Sequence, residues 1–341
     1  MLKPRNILFV LSALAFFAAA PVSAQLNTVP APVQYTVSPE LPGPGQKVTI
    51  SVAGVGSFIG DSAFTWTQNG KTALSGVGAT DYSFTAGAVG SVTNVQVRII
   101  TSSGGTVAHD FTIEPSLVNL VWEADTSAPP LYSGKPLYSG GSNLRVVAFP
   151  VVYSGGARVP ASKLSMQWFY DTNAIPQLSG LGRTTFSFAG DQLQQQENVA
   201  VDVYYNGGKV AHGEINIPAS QPMVLLYDKD PLRGVLYDTA LPAAVSLTAA
   251  EFTIQAAPYF FDNASLKSGA LAYAWTLNGA DTTGPQSAQG LLTLRQAGSG
   301  QGAATVGVAL QNNDSSKYVQ AANAVLQIVF GQSSSGSLFG L

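Results

Sequence analysis

Apolar and polar residues alternate in short runs through most of the chain, and the runs are broken by Gly, Asn, Pro and Ser. In Phe64-Thr65-Trp66-Thr67-Gln68-Asn69-Gly70 the alternation ends in Asn-Gly. Leu164-Ser165-Met166-Gln167-Trp168-Phe169-Tyr170-Asp171 and Leu271-Ala272-Tyr273-Ala274-Trp275-Thr276-Leu277-Asn278-Gly279 follow the same pattern. A period of two places one face of each strand in a core, and Asn-Gly is a strong hairpin-turn signal. The pattern predicts an all-β chain with no amphipathic helix. The Ala-rich stretch 317–326 fits either a helix or a last strand pair.

The three tryptophans mark an internal repeat. A second signature, Tyr82-Ser83-Phe84-Thr85-Ala86-Gly87, Phe186-Ser187-Phe188-Ala189-Gly190 and Leu292-Thr293-Leu294-Arg295-Gln296-Ala297-Gly298, ends 21, 22 and 23 residues after each tryptophan. β-Branched strands follow, starting at Val95, Val199 and Val306, and close at turns 38, 39 and 37 residues from the tryptophans. Gly104-Gly105-Thr106-Val107-Ala108-His109 matches Gly207-Gly208-Lys209-Val210-Ala211-His212. Beyond the histidines the apolar parity differs, as a β-bulge would cause. Units of this length with about seven short strands predict two-sheet sandwiches. The division expected is 30–115, 116–219 and 220–331, with Pro115 and Pro218 at the junctions and Trp66, Trp168 and Trp275 in the three cores.

Strand, tryptophan, turn and a strand carrying Phe-x-Ala-Gly together resemble the tandem immunoglobulin-like or PKD-like modules of bacterial exported proteins, and in particular a group built from three such units. The likeness spans nearly the whole chain after the leader, including Ser38-Pro39-Glu40-Leu41-Pro42-Gly43-Pro44. Thr67-Gln68-Asn69-Gly70 stands where the PKD signature has Asp-Phe-Gly-Asp. The resemblance implies a surface, spacer or binding role and carries over no catalytic residue.

The first 24 residues read as a secretory leader. Lys3 and Arg5 precede a 14-residue apolar run over 7–20, and Val22-Ser23-Ala24 places cleavage before Gln25. The run is shorter than the roughly 20 residues a membrane span needs, so an exported chain with no transmembrane segment is expected, at the cell surface, outside the cell or in the periplasm. The chain has no Cys, which excludes disulfides, thiolate chemistry and Cys-bound metals. Charged residues make up only 10% and the net charge is −3, so no basic face for nucleic acid is expected.

Enzyme and cofactor fingerprints are missing, so neither catalysis nor a cofactor is expected. His109 and His212 hold matching places in two repeats and read as strand residues kept through duplication. Glu123 and Asp125, with Asp228 and Asp230, lie at equivalent points near the starts of units two and three. They are weak calcium candidates, because calcium takes six to eight oxygens. Tyr132 and Tyr138 fall in a doubled Leu-Tyr-Ser-Gly, Tyr204-Tyr205 precedes a turn, and Tyr259-Phe260-Phe261 follows a strand. Outward aromatics of this kind suit a glycan or a protein partner, although they also suit module junctions. Residues 332–341 form a Ser/Gly tail ending in Leu338-Phe339-Gly340-Leu341, whose Phe339 and Leu341 are partner-contact candidates. The expected function is a spacer, adhesin or scaffold that contacts envelope or surface proteins, with a carbohydrate-binding protein as the alternative.

Overall fold

The computed structural model describes residues 33–54, 59–102, 104–247, 249–298 and 301–330. The leader and the tail, with Phe339 and Leu341, lie outside the described residues. The described residues are nearly all β, and their strands sort into three successive sandwiches. The first contains β1 (Gln34–Ser38), β2 (Lys47–Ala53), β3 (Ala63–Gln68), β4 (Lys71–Val77), β5 (Asp81–Thr85), β6 (Thr93–Ile100) and β7 (Thr106–Ile113). A β1-β2-β5 sheet faces a β4-β3-β6-β7 sheet. The second contains β8 (Leu117–Ala124), β9 (Asn143–Val151), the short pair β10 (Tyr153–Ser154) and β11 (Ala157–Arg158), then β12 (Ser165–Tyr170), β13 (Asn173–Ala174), β14 (Gly180–Leu181), β15 (Thr185–Ala189), β16 (Gln196–Tyr205) and β17 (Gly208–Pro218). Here β15-β9-β8 faces β13-β12-β16-β17.

The third contains β18 (Met223–Asp230), β19 (Gly234–Val235), β20 (Ala244–Leu247), β21 (Glu251–Tyr259), α1 (Asn263–Ser268), β22 (Leu271–Leu277), β23 (Ala280–Thr282), β24 (Leu291–Arg295), β25 (Gly302–Asn312) and β26 (Ala321–Phe330). Its sheets are β19-β18-β21-β24 and β20-β26-β25-β22-β23, with β20 parallel to β26. Strands one, two and five of the pattern form one sheet, and the tryptophan strand and the last hairpin form the other. This shared order makes each unit immunoglobulin-like.

The repeat holds at atomic detail. Trp66, Trp168 and Trp275 are 0, 0 and 2% exposed and lie opposite Val97, Val201 and Val308 on the neighbouring strand. A buried indole N–H needs an acceptor. Each finds a backbone carbonyl a short way down the chain: Ala79 at 2.8 Å, Arg183 at 2.8 Å and Ser287 at 3.2 Å. Tyr82 and Phe186 stack on the first two indoles at 5.5 Å, while Leu292 holds the equivalent place in the third core.

One detail departs from the sequence expectation, and a second resolves an alternative it left open. A six-residue helix, α1, occurs where none was read. It is short enough to be set by its cap: the Asp262 carboxylate accepts from Ser265 N, and Gly269 closes it at φ 75°. In the stretch 317–326, a 3₁₀ turn over Ser315–Lys317 leads into β26, so the Ala-rich run is strand. Its pairing with β25 overrides the helical propensity of alanine.

Candidate functional site

Of the aromatic and acidic residues picked out in the sequence, Asp125, Tyr132, Tyr259, Phe260 and Phe261 meet at the boundary between the second and third sandwiches. The 125–142 segment joins β8 to β9 and folds onto the third unit. Ser127 N and Ser127 O bond Phe261 O and Phe260 N at 2.6 and 2.8 Å. Ser127 Oγ donates to Pro258 O and accepts from Phe261 N, both at 3.0 Å. Asn263 Nδ2 donates to Asp125 Oδ1 at 2.8 Å and to Thr126 O at 3.1 Å.

At the centre of this joint lies Gln320, fully buried. Its carbonyl accepts from Asp262 N and Asn312 Nδ2, at 3.0 and 2.9 Å. Its amide donates to Ser139 Oγ, Gly140 O and Ser142 Oγ, at 3.0, 3.1 and 2.8 Å. The chains approach so closely that a Cβ on Gly141, already at φ +81°, would lie 2.5 Å from Ser316 O. Lys317 Nζ adds charge at the rim, 2.9 Å from Asp314 Oδ2 and 3.8 Å from the buried Asp262 Oδ2. The Ser316 hydroxyl and then Lys317 hold the Asp314 carboxyl down to about 2.

The doubled Leu-Tyr-Ser-Gly splits into two roles. Tyr132 is 37% exposed and stands edge-on to Tyr259 and Phe260 across the joint. Tyr138 is not a surface contact residue. It is fully buried, because the Glu197 carboxylate, itself fully buried, needs donors. Tyr138 and Tyr170 give it two phenol hydrogen bonds and Asp191 N a third. Burial first, and then the carboxylate, raises both phenols well above the ordinary tyrosine range. The unfolded chain ionises its tyrosines near pH 10 while Tyr138 stays protonated, so above pH 10 the unfolded state binds fewer protons. Stability is then intact below pH 10 and falls above it, by about 1.4 kcal/mol per pH unit for Tyr138. Urea unfolding at pH 9, 10 and 11 should show this slope, and Tyr138→Phe should flatten it; an unchanged slope would count against the assignment.

The calcium candidates do not converge. Glu123 pairs with Arg145, Asp125 takes the Asn263 amide, and Asp230 accepts from Leu232 N and Arg233 N at 2.8 Å. Burial, with Asp230 adding like charge, raises Asp228. Among the described residues no group of three or more His, Asp or Glu is placed to hold a metal.

A concavity of about 990 Å³ lies elsewhere, on the outer face of β12, β16 and β17. The sequence reading missed it. Its floor is the cross-strand row Phe169, Ala200 and Glu214. In the first sandwich the same row holds Thr67, Gln96 and Asp110, and the Gln96 amide spans to Asp110 at 2.8 Å and covers the spot. Ala200 is too small to do so.

One wall comes from a register shift. His109 lies opposite Val97 and turns inward, stacked on Tyr35 at 4.2 Å. In β17 the pairing slips at Val203/Tyr204 and leaves Val210 unpaired, so Gly213 takes the inward place opposite Val201 and His212 faces out beside Asp202. A one-residue shift moves side chains to the other face of a sheet. The two histidines are therefore not equivalent, contrary to their matching sequence places. Asp202, 8% exposed, holds His212 Nδ1 at 2.7 Å and Lys209 Nζ at 2.8 Å.

The opposite wall departs from the repeat as well. Asn69-Gly70 and Asn278-Gly279 make left-handed turns, and each Asn Oδ1 accepts a backbone N–H of the next strand, Asn94 N at 3.0 Å or Thr305 N at 2.8 Å. The second sandwich has Asp171-Thr172 there, at φ 46° and 72°. Thr172 is β-branched and strained in that region. Asp171 Oδ2 accepts from Gln194 Nε2 at 2.8 Å, while its buried Oδ1 has no partner. The replacement of Asn-Gly by Asp-Thr in one of three repeats was the signal in the sequence that marks this groove. Tyr204 lines a second depression of about 420 Å³ together with Gln167 and Pro176, whereas Tyr205 packs against the core.

No protein-family profile matches the chain, and no curated protein matches it. Among solved structures it is similar to three N-terminal domains of the bacteriophage RB49 highly immunogenic outer capsid protein, at 11% identity over 88% of this chain and 98% of that one, with a TM-score of 0.26. It is also similar to the central fibronectin-III array of RIM-binding protein, at 12% identity over 88% and 97% with a TM-score of 0.27. A third is a structure of a 1.5-MDa bacterial ice-binding adhesin, at 12% over 88% and 98% with a TM-score of 0.23. The chain is a tandem array of immunoglobulin-like sandwiches, as its strand order sets out. Among the described residues no helix is long and apolar enough to cross a membrane.

Proposed function

We propose that this chain is a non-enzymatic exported surface protein, a spacer or scaffold in a cell-envelope assembly, with modules over 30–115, 116–219 and 220–331. The buried polar joint around Gln320 is the observation that carries the reading. A flexible string of modules needs only an exposed linker, whereas here the buried Gln320 amide of the third unit donates to Ser139, Gly140 and Ser142 of the second. Removing any one partner strands others away from water, so the second and third modules behave as one stiff segment. The leader over residues 1–24 supports export, and the low charge supports contact through shape and neutral polar groups. Since the chain has no Cys, spin labels on Ser187→Cys and Gln327→Cys in the full mature chain report the joint directly. A single narrow distance distribution is expected; a broad one would overturn the stiff-spacer reading. Protease shaving of intact cells should release peptides of these modules, and a purely intracellular location would overturn the surface assignment.

A further inference from the structure

We propose that the groove on the outer face of the second module binds an uncharged oligosaccharide. This goes beyond the spacer reading and does not rest on it. Three features set this face apart from that of the first module: Ala200 in place of a covering Gln96, the Val210 slip that brings His212 outward, and Asp171-Thr172 in place of Asn-Gly. The Gln96–Asp110 and His109–Tyr35 contacts of the first module, and the Asn-to-backbone contacts of both sister turns, have no counterpart here, and this leaves a hollow rather than a filled face.

The lining chemistry selects the ligand class. Phe169 offers an apolar ring face, against which the C–H face of a pyranose stacks. The amides of Gln194, Gln196, Asn198 and Asn216 line the same hollow, and each supplies both donors and an acceptor, the mixture that vicinal hydroxyls require. The unpartnered Asp171 Oδ1 accepts from a hydroxyl; leaving it without a donor when buried is costly. Asp171, Asp202 and Glu214 outnumber Lys209, which disfavours anionic polymers. Asn198, Ala200, Asp202 and Tyr204 run along one strand, and at 3.3 Å per residue they extend the face over about 20 Å. The Tyr204 depression lies along the same face, and that length suits a linear chain.

Affinity electrophoresis of the full mature chain in gels containing a soluble β-1,3-glucan, a xyloglucan, a galactomannan or a dextran tests this, with alginate and poly-lysine as charged comparisons. At least one neutral polysaccharide is expected to retard the protein. Phe169→Ala, Asp171→Asn (the residue type of the sister turns) and Ala200→Leu, which fills the hollow, should each weaken that retardation at least tenfold. All three side chains lie outside the core, and unchanged melting temperatures would exclude misfolding. Gln320→Ala should leave binding intact, so a broken joint and a false binding site give different results. Retardation by none of the four neutral polymers overturns the proposal, as does retardation by poly-lysine or alginate alone, or binding that all three groove variants leave unchanged.

Discussion

Trp168→Ala should cost the second module about 3–5 kcal/mol, the range for truncating a large buried aromatic residue to alanine. The indole is fully buried, stacks on Phe186 at 5.5 Å and faces Val201. Its loss also leaves the Arg183 carbonyl without the 2.8 Å donor. Against a typical domain stability of about 5–15 kcal/mol, this takes away a large share. A module of this size should lose more than 10 °C in melting temperature, at about 4–8 °C per kcal/mol. Calorimetry of the full chain is the measurement. The first module has its own core, built around Trp66, Val48 and Ile50 and separate from that of Trp168, so its transition should stay in place. Equal shifts of every transition would show that the cores are not independent.

Gln320→Ala should cost about 2–4 kcal/mol, because it strands several buried polar groups at once. Asp262 N and Asn312 Nδ2 lose their acceptor, and Ser139 Oγ, Gly140 O and Ser142 Oγ lose a donor. The effect is divided between two modules, and this separates it from a core substitution. The melting of the second and third modules should move apart, hydrogen exchange should rise over residues 125–142, and the distance distribution between labels at 187 and 327 should broaden. Gln320→Glu keeps the acceptor and loses the donors, so it should weaken the joint through its contacts with Ser139, Gly140 and Ser142. A sharp distribution in Gln320→Ala would mean that the apolar contacts of Leu137 with Tyr227, Tyr259 and Phe260 suffice to hold the joint.

The doubled Leu-Tyr-Ser-Gly shows how far a motif goes without a fold. Its two copies read alike along the chain. Leu131 and Tyr132 are exposed, while Leu137 and Tyr138 enter cores because Glu197 and the aromatic cluster of the third module meet them there. The matched histidines give the same lesson. Their six-residue contexts agree at five positions, yet one unpaired valine sends His109 toward a ring stack and His212 toward a carboxylate.

Strand periodicity, tryptophan spacing and turn residues were sufficient to specify three immunoglobulin-like sandwiches, because an alternating strand has one solution that buries its apolar face and each unit carries a complete set of such strands. Register and the joint depended on partners distant in sequence. Whether a strand slips by one residue is decided by the strand beside it, as Gly213 shows by taking an inward place where a Cβ would lie 2.7 Å from Val118. Whether a glutamine is a surface residue or a keystone is decided by five groups that lie up to 181 residues away. Hydrophobic pattern is local and legible; the satisfaction of buried polar groups is a property of the assembled chain, and only the tertiary structure settles it.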